Sequence, residues 1–224
     1  MLYPLIQAMD DLLAPARFGA SLALGLRDKA LADPQLAPLA GSAWARRFFA
    51  LNQTLLSARF TNERPDYAIT EVLSGNRMVP VREEVVLDLP FGNLLRFAKG
   101  APGEDLPPQP RMLVVAPLSG HYATLLRDTV ATLLRDHDVY ITDWKNARDI
   151  PLSAGRFGFD DYLEYVIRML QALGPGAHVL AVCQPCVPAL GAVAVMAMDK
   201  DPCQPHTITL MGGPVDTRIS PTVV

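Results

Sequence analysis

The spacing of apolar residues divides the chain into a helical N-terminal part and a C-terminal part that alternates strands with helices. From residue 2 to 60, apolar positions recur every three or four residues, as at Trp44 and Phe48, which is typical of amphipathic helices. We therefore predict a helical N-terminal lead-in over residues 1–75 and an α/β domain over residues 76–224.

Two kinds of strand pattern follow in the C-terminal part. Between Val81 and Phe97, apolar and polar residues alternate on both sides of a turn at Pro90–Asn93, which predicts two antiparallel strands. Farther along, short apolar runs alternate with helical stretches, a pattern typical of a mostly parallel sheet with helices on both faces. The predicted parallel strands begin near Met112, Val139, His178 and Thr207, and the helices between them begin near Tyr122, Phe159 and Val187.

The functional side chains of an open parallel sheet gather at the carboxyl ends of its strands. Right-handed crossovers are expected to place the strand before Cys183 in a central position. The segments that meet at the carboxyl edge are then Leu118–His121, Asp143–Asn146, Cys183–Pro185 and Gly212–Asp216. Three histidines are predicted to lie at the opposite, amino ends of strands, namely His137, His178 and His206.

Composition and charge exclude several classes of protein. Half of the 224 residues are apolar and 19% are charged, so the chain can form a sizeable core and is not disordered. The net charge is -3 without a block of Lys or Arg, which argues against nucleic acid as a partner. The longest apolar run, Val187–Met198, is shorter than the roughly 20 residues of a membrane span. With no signal-peptide pattern and only three cysteines, the chain is expected to be cytoplasmic.

Cys183 lies at the junction of an apolar strand and a helix, the position that the nucleophile elbow occupies in α/β hydrolases. The N-terminus of the following helix favours a thiolate there, and the backbone amide of Gln184 would point at a developing oxyanion. A buried structural cysteine is the alternative interpretation, because free cysteines are among the most buried residues.

Two other cysteine chemistries fit the spacing formally. Cys183 and Cys186 form a C-x-x-C pair as in thioredoxin-like redox sites, although such pairs follow the first strands of a small domain. Together with Cys203 and His206 they also match the spacing of a zinc ribbon. A predicted helix of about 18 Å separates the two halves of that set, so we predict no metal site and no cofactor.

Three stretches of the chain carry a family resemblance: VYITDWKNARDIPLSAGRFGFDDYLEYVIRML, HVLAVCQPCVPALGAVAVMA and MGGPVDTRISPT. They closely resemble the intracellular poly(3-hydroxybutyrate) depolymerases of bacteria, and the similarity extends to the MLYPL start and the VPVREEVV strand. These enzymes are α/β-hydrolase proteins with a cysteine nucleophile and are more distantly similar to the polyhydroxyalkanoate synthases. The resemblance implies that Cys183 attacks an ester or thioester bond of the storage polymer.

Further site residues are predicted around this cysteine. Ser119, Gly120 and His121 follow the strand after which this fold places its oxyanion loop, and they are expected to contribute a backbone donor. Packing of His121 at the mouth of the cleft is the alternative. Asp216 could orient a base or line the cleft, although an aspartate in a turn after Gly-Gly-Pro is the simpler interpretation.

The acid and the base of a hydrolase triad are expected after the nucleophile in the chain. The only histidine after Cys183 is His206. It is predicted at the amino end of a strand, so at about 3.3 Å per residue it would lie roughly 15 Å or more from the carboxyl edge. Members of the family continue through a lid-bearing segment and two further strands that carry the acid and base. We therefore expect the sheet to be C-terminally incomplete and the 224-residue chain to hydrolyse polymer poorly or not at all.

The leading hypothesis is a depolymerase that hydrolyses or thiolyses the polymer and whose partners are storage granules or oligomers. The first alternative is acyl transfer, as in the synthases, whose cysteine usually has glycines where this chain has Ala181 and Pro185. The second is a granule-binding protein without catalysis. The sequence leaves the oligomeric state open, including a homo-oligomer.

Overall fold

The computed structural model describes residues 3–58, 64–104, 106–118, 122–216 and 218, without the side chains of residues 3, 4, 6 and 7. The chain folds as two compact units, Met1–Glu63 and Arg64–Val224. The described residues of the first unit are helical, and those of the second form a seven-stranded sheet with helices.

The helical spacing of the N-terminal residues corresponds to α1 (Tyr3–Ala32), α2 (Ala37–Ala40) and α3 (Ala43–Ser57). Ser42 caps α3, because its side chain accepts a hydrogen bond from the backbone N–H of Ala45 at 3.2 Å. The apolar residues that set the spacing, Trp44 and Phe48 among them, remain exposed and stack on each other with ring centroids 5.6 Å apart.

Five of the seven strands run in one direction. The strands are β1 (Glu71–Ser74), β2 (Arg77–Leu89), β3 (Gly92–Lys99), β4 (Arg111–Val115), β5 (Asp138–Trp144), β6 (His178–Val182) and β7 (Thr207–Met211), in the order β1-β2-β3-β5-β4-β6-β7. The strands β4 to β7 pair in parallel, whereas β3 is antiparallel to β5 and to β2, and β1 is antiparallel to β2. The predicted α/β fold with a mostly parallel sheet is confirmed. Among the four parallel strands β6 is an interior strand, between β4 and β7, but in the whole described sheet it is second from one side rather than central.

The antiparallel part of the sheet has one strand more than the sequence pattern predicts. The predicted strand pair is present as β2 and β3, joined at Leu89 and Gly92. The sequence pattern does not predict β1, because Ser74, Gly75 and Asn76 are residues typical of a loop between elements. Gly75 and Asn76 instead form a two-residue hairpin turn, in which Gly75 has the positive φ of 62° that such turns require.

The helices of the second unit follow the predicted alternation. They are α4 (Arg127–Leu133), which continues a 3-10 turn at Ala123–Leu126, α5 (Phe159–Leu173) and α6 (Cys186–Met198). α5 and α6 pack against each other, with Gly191 facing the side chain of Leu163. The connection from β4 to β5 runs along the sheet in the direction opposite to the connections from β5 to β6 and from β6 to β7. Right-handed crossovers therefore place α4 on one face and α5 and α6 on the other.

The core of the second unit lies on the parallel strands. Leu113, Val114, Ile141 and Val179 are completely buried, as a strand covered on both faces requires. Burial of one such side chain stabilises a fold by about 1.5 to 3 kcal/mol, so these strands form a rigid support for whatever follows their carboxyl ends.

Candidate active site

Cys183 occupies a sharp turn between β6 and α6. Its φ is +66°, a left-handed conformation that few residues other than glycine adopt, and its side chain is exposed. Two hydrogen bonds hold this backbone: the Cys183 N–H donates to Met211 O at 2.8 Å, and Cys183 O accepts from the Cys186 N–H at 3.1 Å. A left-handed residue costs about 1 to 3 kcal/mol, and such strain clusters at functional sites. The turn thus presents a free thiol at the N-terminus of a helix.

Gly213 is a residue of this site that the sequence analysis did not single out. A Cβ at position 213 would overlap with the Cβ and Sγ of Cys186 and would lie 2.6 Å from Cys183 O. Only glycine therefore allows the chain after β7 to pass this close to the turn. The signal in the sequence is the Gly212–Gly213 pair directly after an apolar strand, but it does not say what the glycine approaches.

Cys186 lies behind the turn and is completely buried. Its Sγ donates a hydrogen bond to Ala181 O at 3.3 Å and lies 3.8 Å from Met211 O. Burial raises the pKa of the Cys186 thiol above its ordinary value. The two cysteines of the C-x-x-C pair are therefore in opposite environments, one exposed in the turn and one packed between the ends of two strands.

Gln184 connects the turn to the neighbouring strand β4. Its side-chain Oε1 accepts a hydrogen bond from the backbone N–H of Leu118 at 3.1 Å, and Leu118 follows the end of β4. Because the connections that leave β4 and β6 turn to opposite faces of the sheet, a crevice opens between the carboxyl ends of these two strands. Cys183 and Gln184 are at the position where open α/β sheets bind their ligands.

The end of β4 is held by aromatic side chains that the sequence analysis did not group. The indole Nε1 of Trp144 donates to Ala116 O at 2.8 Å, and Tyr162 packs edge-on against Trp144 with centroids 4.8 Å apart. Trp144 is buried, so it packs under the crevice rather than lining it. The Ala116 N–H is bonded as well, to Thr142 Oγ1 at 2.9 Å, so the strand end next to the crevice is fixed on both of its backbone groups.

Other predicted site residues are placed less directly. Ser119, Gly120 and His121, the predicted oxyanion loop, lie outside the described residues. Asp216 forms an ion pair with Arg218 at 2.7 Å, and hydrogen bonds from Arg218 hold the pKa of its carboxyl below the ordinary value. Its role in the cleft stays a prediction.

Asp143 is also paired with an arginine, but one that is distant in the sequence. It lies near the carboxyl end of β5, and the Nε of Arg64 donates to its Oδ1 at 3.1 Å. This carboxylate is engaged in an ion pair within the second unit and is partly buried there. It supports the end of β5.

The histidines at the amino ends of the strands form structural contacts. His178 Nδ1 lies 2.8 Å from Thr207 Oγ1, and the rings of His178 and His206 meet edge-on with centroids 6.0 Å apart. Because His178 begins β6 and Cys183 follows its last residue, both histidines are at the opposite end of the strand from the thiol. His137 lies after α4, with its Nδ1 3.2 Å from Leu133 O.

In the described part of the chain, no group of three or more His, Cys, Asp or Glu side chains is arranged to hold a metal ion. Among the helices that the structure describes, none combines the length and the apolar character needed to span a bilayer.

The chain is similar to several solved structures. No protein family and no curated protein matches the chain in sequence. The naproxen esterase (carboxylesterase NP) of Bacillus subtilis is 13% identical, with a TM-score of 0.39 over 58% of this chain and 42% of that protein. A hypothetical protein of Pseudomonas aeruginosa PAO1 is 16% identical, with a TM-score of 0.38 over 59% of this chain and 43% of its own. A candidate esterase of Staphylococcus aureus is 12% identical, with a TM-score of 0.44 over 80% of this chain and 56% of its own. The chain thus spans about half the length of the solved structures that it matches.

Proposed function

We propose that the chain hydrolyses carboxylic esters through Cys183, and that its substrate is the ester backbone of poly(3-hydroxybutyrate). The observation that carries the proposal is the exposed Cys183 thiol on a left-handed backbone between β6 and α6, beside the crevice of the sheet. The substrate class rests on the family resemblance of the stretches around Asp143, Cys183 and Gly213.

The chemistry would proceed through an acyl-enzyme. The Cys183 sulfur attacks the ester carbonyl carbon and forms a C–S bond, while negative charge develops on the carbonyl oxygen. The backbone N–H of Gln184 is the expected donor to that oxygen, because it follows the nucleophile. The C–O bond of the ester then breaks, and the alcohol leaves with the proton that the thiol gave up. Water cleaves the thioester, releases the acid and returns the proton to sulfur.

The first half of this reaction gives the clearest test. With a nitrophenyl ester of 3-hydroxybutyrate, we expect a burst of about one nitrophenol per chain and an acyl adduct on the peptide that contains Cys183. Cys183→Ala should abolish both. Cys203→Ala is the matched control, because Cys203 follows α6 at the other end of that helix and should leave the burst unchanged. A burst that survives Cys183→Ala would disprove the proposal.

The polymer itself separates the substrate classes. Release of 3-hydroxybutyrate from amorphous polymer, at the low rate that the expected poor hydrolysis implies and lost in Cys183→Ala, is the expected result for a depolymerase. Growth of polymer from 3-hydroxybutyryl-coenzyme A would instead show an acyltransferase. Binding of polymer granules without any acyl adduct on Cys183 would show a binding protein.

A further inference from the structure

The turn between β6 and α6 carries two thiols, Cys183 and Cys186, that are close in space. The Cys186 N–H donates to Cys183 O at 3.1 Å, so these residues are the first and fourth of a hydrogen-bonded turn. Such a turn keeps the Cα atoms of its first and fourth residues less than about 7 Å apart, and disulfides join residues whose Cα atoms are about 4.4 to 6.8 Å apart. The backbone therefore holds the two cysteines at about the separation that a disulfide bridges.

The Cys186 sulfur is held in place by weak contacts. It donates to Ala181 O at 3.3 Å and lies 3.8 Å from Met211 O, and a thiol is a weak hydrogen-bond donor. Position 213 next to this sulfur carries no side chain, because a Cβ there would overlap with Cys186. Rotation of the Cys186 side chain toward Cys183 therefore gives up one weak hydrogen bond and meets no side chain of residue 213.

The two thiols differ in how a dissolved reagent reaches them. Cys183 is exposed, whereas Cys186 is completely buried. Burial raises the pKa of the Cys186 thiol, and a negative charge on Cys183 raises it further, so the two groups interact electrostatically. An oxidant in solution therefore meets Cys183 first, and a second thiol lies directly behind it. Cysteines that are oxidised reversibly in proteins are often paired in this way with a resolving cysteine.

We propose that Cys183 and Cys186 form a site of reversible oxidation, at which a hydroperoxide converts the two thiols into an intramolecular disulfide. The Cys183 sulfur attacks one oxygen of the peroxide, so that an S–O bond forms, the O–O bond breaks and the other oxygen leaves as water or an alcohol with the thiol proton. The Cys186 sulfur then attacks the sulfenic acid on Cys183. The S–S bond forms, the S–O bond breaks, and the oxygen leaves as water with the proton of Cys186. A dithiol such as dithiothreitol reverses the bond by thiol–disulfide exchange.

The consequence for catalysis rests on the proposed function. A Cys183 sulfur in a disulfide cannot attack an ester, so acylation stops until the bond is reduced. The disulfide also prevents further oxidation of Cys183 to a sulfinic acid, which a dithiol does not reverse. The buried cysteine thus protects the exposed one.

Peptide mass spectrometry tests the bond directly. Trypsin releases Cys183 and Cys186 together in the peptide of residues 169–200 and Cys203 in the peptide of residues 201–218. After treatment of the 224-residue chain with hydrogen peroxide, we expect the first peptide to lose two hydrogen atoms and to regain them with dithiothreitol. Cys203 should remain unpaired, because it follows the other end of α6, about 20 Å away at 1.5 Å per residue. A link between the two peptides, or oxygen added to Cys183 without any disulfide, would overturn the proposal, as would a failure of peroxide to change Cys183.

A second measurement compares ester acylation before and after oxidation in each variant. In the wild type, peroxide should lower acylation by a nitrophenyl ester at least about 10-fold, and dithiothreitol should restore it to within about 2-fold. Cys186→Ser keeps a donor for Ala181 O but has no resolving sulfur, so its Cys183 should gain two oxygens and stay inactive after dithiothreitol. Cys203→Ala is the matched control and should behave as the wild type does.

The outcomes separate the proposed oxidation from the proposed function. Recovery of Cys186→Ser to the same extent as the wild type would show that Cys186 does not protect Cys183 and would overturn the proposal. If the untreated wild type gives no ester burst, the proposed function is wrong. The mass of the peptide of residues 169–200 then supports or overturns the disulfide by itself.

Discussion

The two ends of β6 differ in how their polar groups are used. At the amino end, His178 is bonded to Thr207, and the backbone N–H of His206 donates to Ala177 O at 2.8 Å. At the carboxyl end, Cys183 has a strained backbone and a thiol open to solvent. The polar groups of the amino end are therefore used in hydrogen bonds between strands, whereas the carboxyl end combines a left-handed backbone with an exposed thiol.

Arg111 strengthens this difference. It begins β4, and its guanidinium donates to the backbone oxygens of Leu173 and Pro175, at and beyond the end of α5. These bonds satisfy carbonyl groups that the end of a helix leaves without partners. The amino ends of β4 and β6 thus carry hydrogen bonds that join strands to helix ends and to each other, whereas the carboxyl ends also carry an exposed thiol, at the side where open α/β sheets generally bind their ligands.

The largest effect is expected from a substitution of Gly213, which displaces the Cys183 turn at the carboxyl end of β6. Gly213→Ala places a Cβ against Cys186 and Cys183 O, so the turn must move. We expect ester acylation to fall by at least about 10²-fold and the free energy of unfolding to fall by about 1 to 3 kcal/mol, measured by urea titration.

Gly25→Ala is the control for this substitution. Gly25 lies inside α1 with nothing within 4 Å of its added Cβ, and alanine is the better helix former there by up to about 1 kcal/mol. It should leave acylation unchanged. Wild-type acylation in Gly213→Ala would show that the turn does not depend on this contact.

The second prediction concerns the reactivity of the three thiols. Cys183 is exposed and Cys186 is buried with a raised pKa, so iodoacetamide should label Cys183 at least about 10-fold faster at pH 7. Because the pKa of Cys186 is raised, its labelling should require a higher pH than that of an ordinary cysteine. Peptide mass spectrometry over a pH series measures both rates, and equal labelling of all three cysteines would contradict the described turn.

The third prediction tests the strain at the carboxyl end. Cys183→Gly removes the Cβ from a residue with φ of +66°, which glycine adopts without penalty. We expect the free energy of unfolding to rise by about 1 kcal/mol, while Cys183→Ala, which keeps the Cβ, should stay within about 0.5 kcal/mol of the wild type. A protein that is less stable with glycine than with alanine would show that the turn is not strained.

The smallest effect is expected at the amino end. His206 is exposed and lies roughly 15 Å from the turn at about 3.3 Å per residue of strand. His206→Ala should therefore change the ester burst by less than about 2-fold and the free energy of unfolding by about 0.5 kcal/mol or less. Loss of the burst in this variant would mean that His206 takes part in the reaction and that the two ends are not functionally separate.

The sequence by itself determined the elements of the parallel part of the sheet and their order along the chain. Hydrophobic runs and their period depend on local geometry, so the strand before Cys183 and the helix from Phe159 were predicted to begin where the structure shows them. The position of Cys183 at a strand–helix junction followed from the same local pattern. The strand Glu71–Ser74 was not predicted, because the same Ser-Gly-Asn residues are typical both of a loop that ends an element and of a tight turn that joins two strands of a hairpin.

Only the tertiary structure decided what surrounds the thiol. Gly213 approaches Cys186, and Gln184 is bonded to Leu118, across segments that are distant in the sequence. The two cysteines differ in burial although they are only three residues apart. No local propensity encodes such contacts, because they depend on which strands become neighbours and on the direction in which each connection leaves the sheet. The strand order, with β4 beside β6, is therefore the fact that turns a cysteine at a junction into a candidate active site.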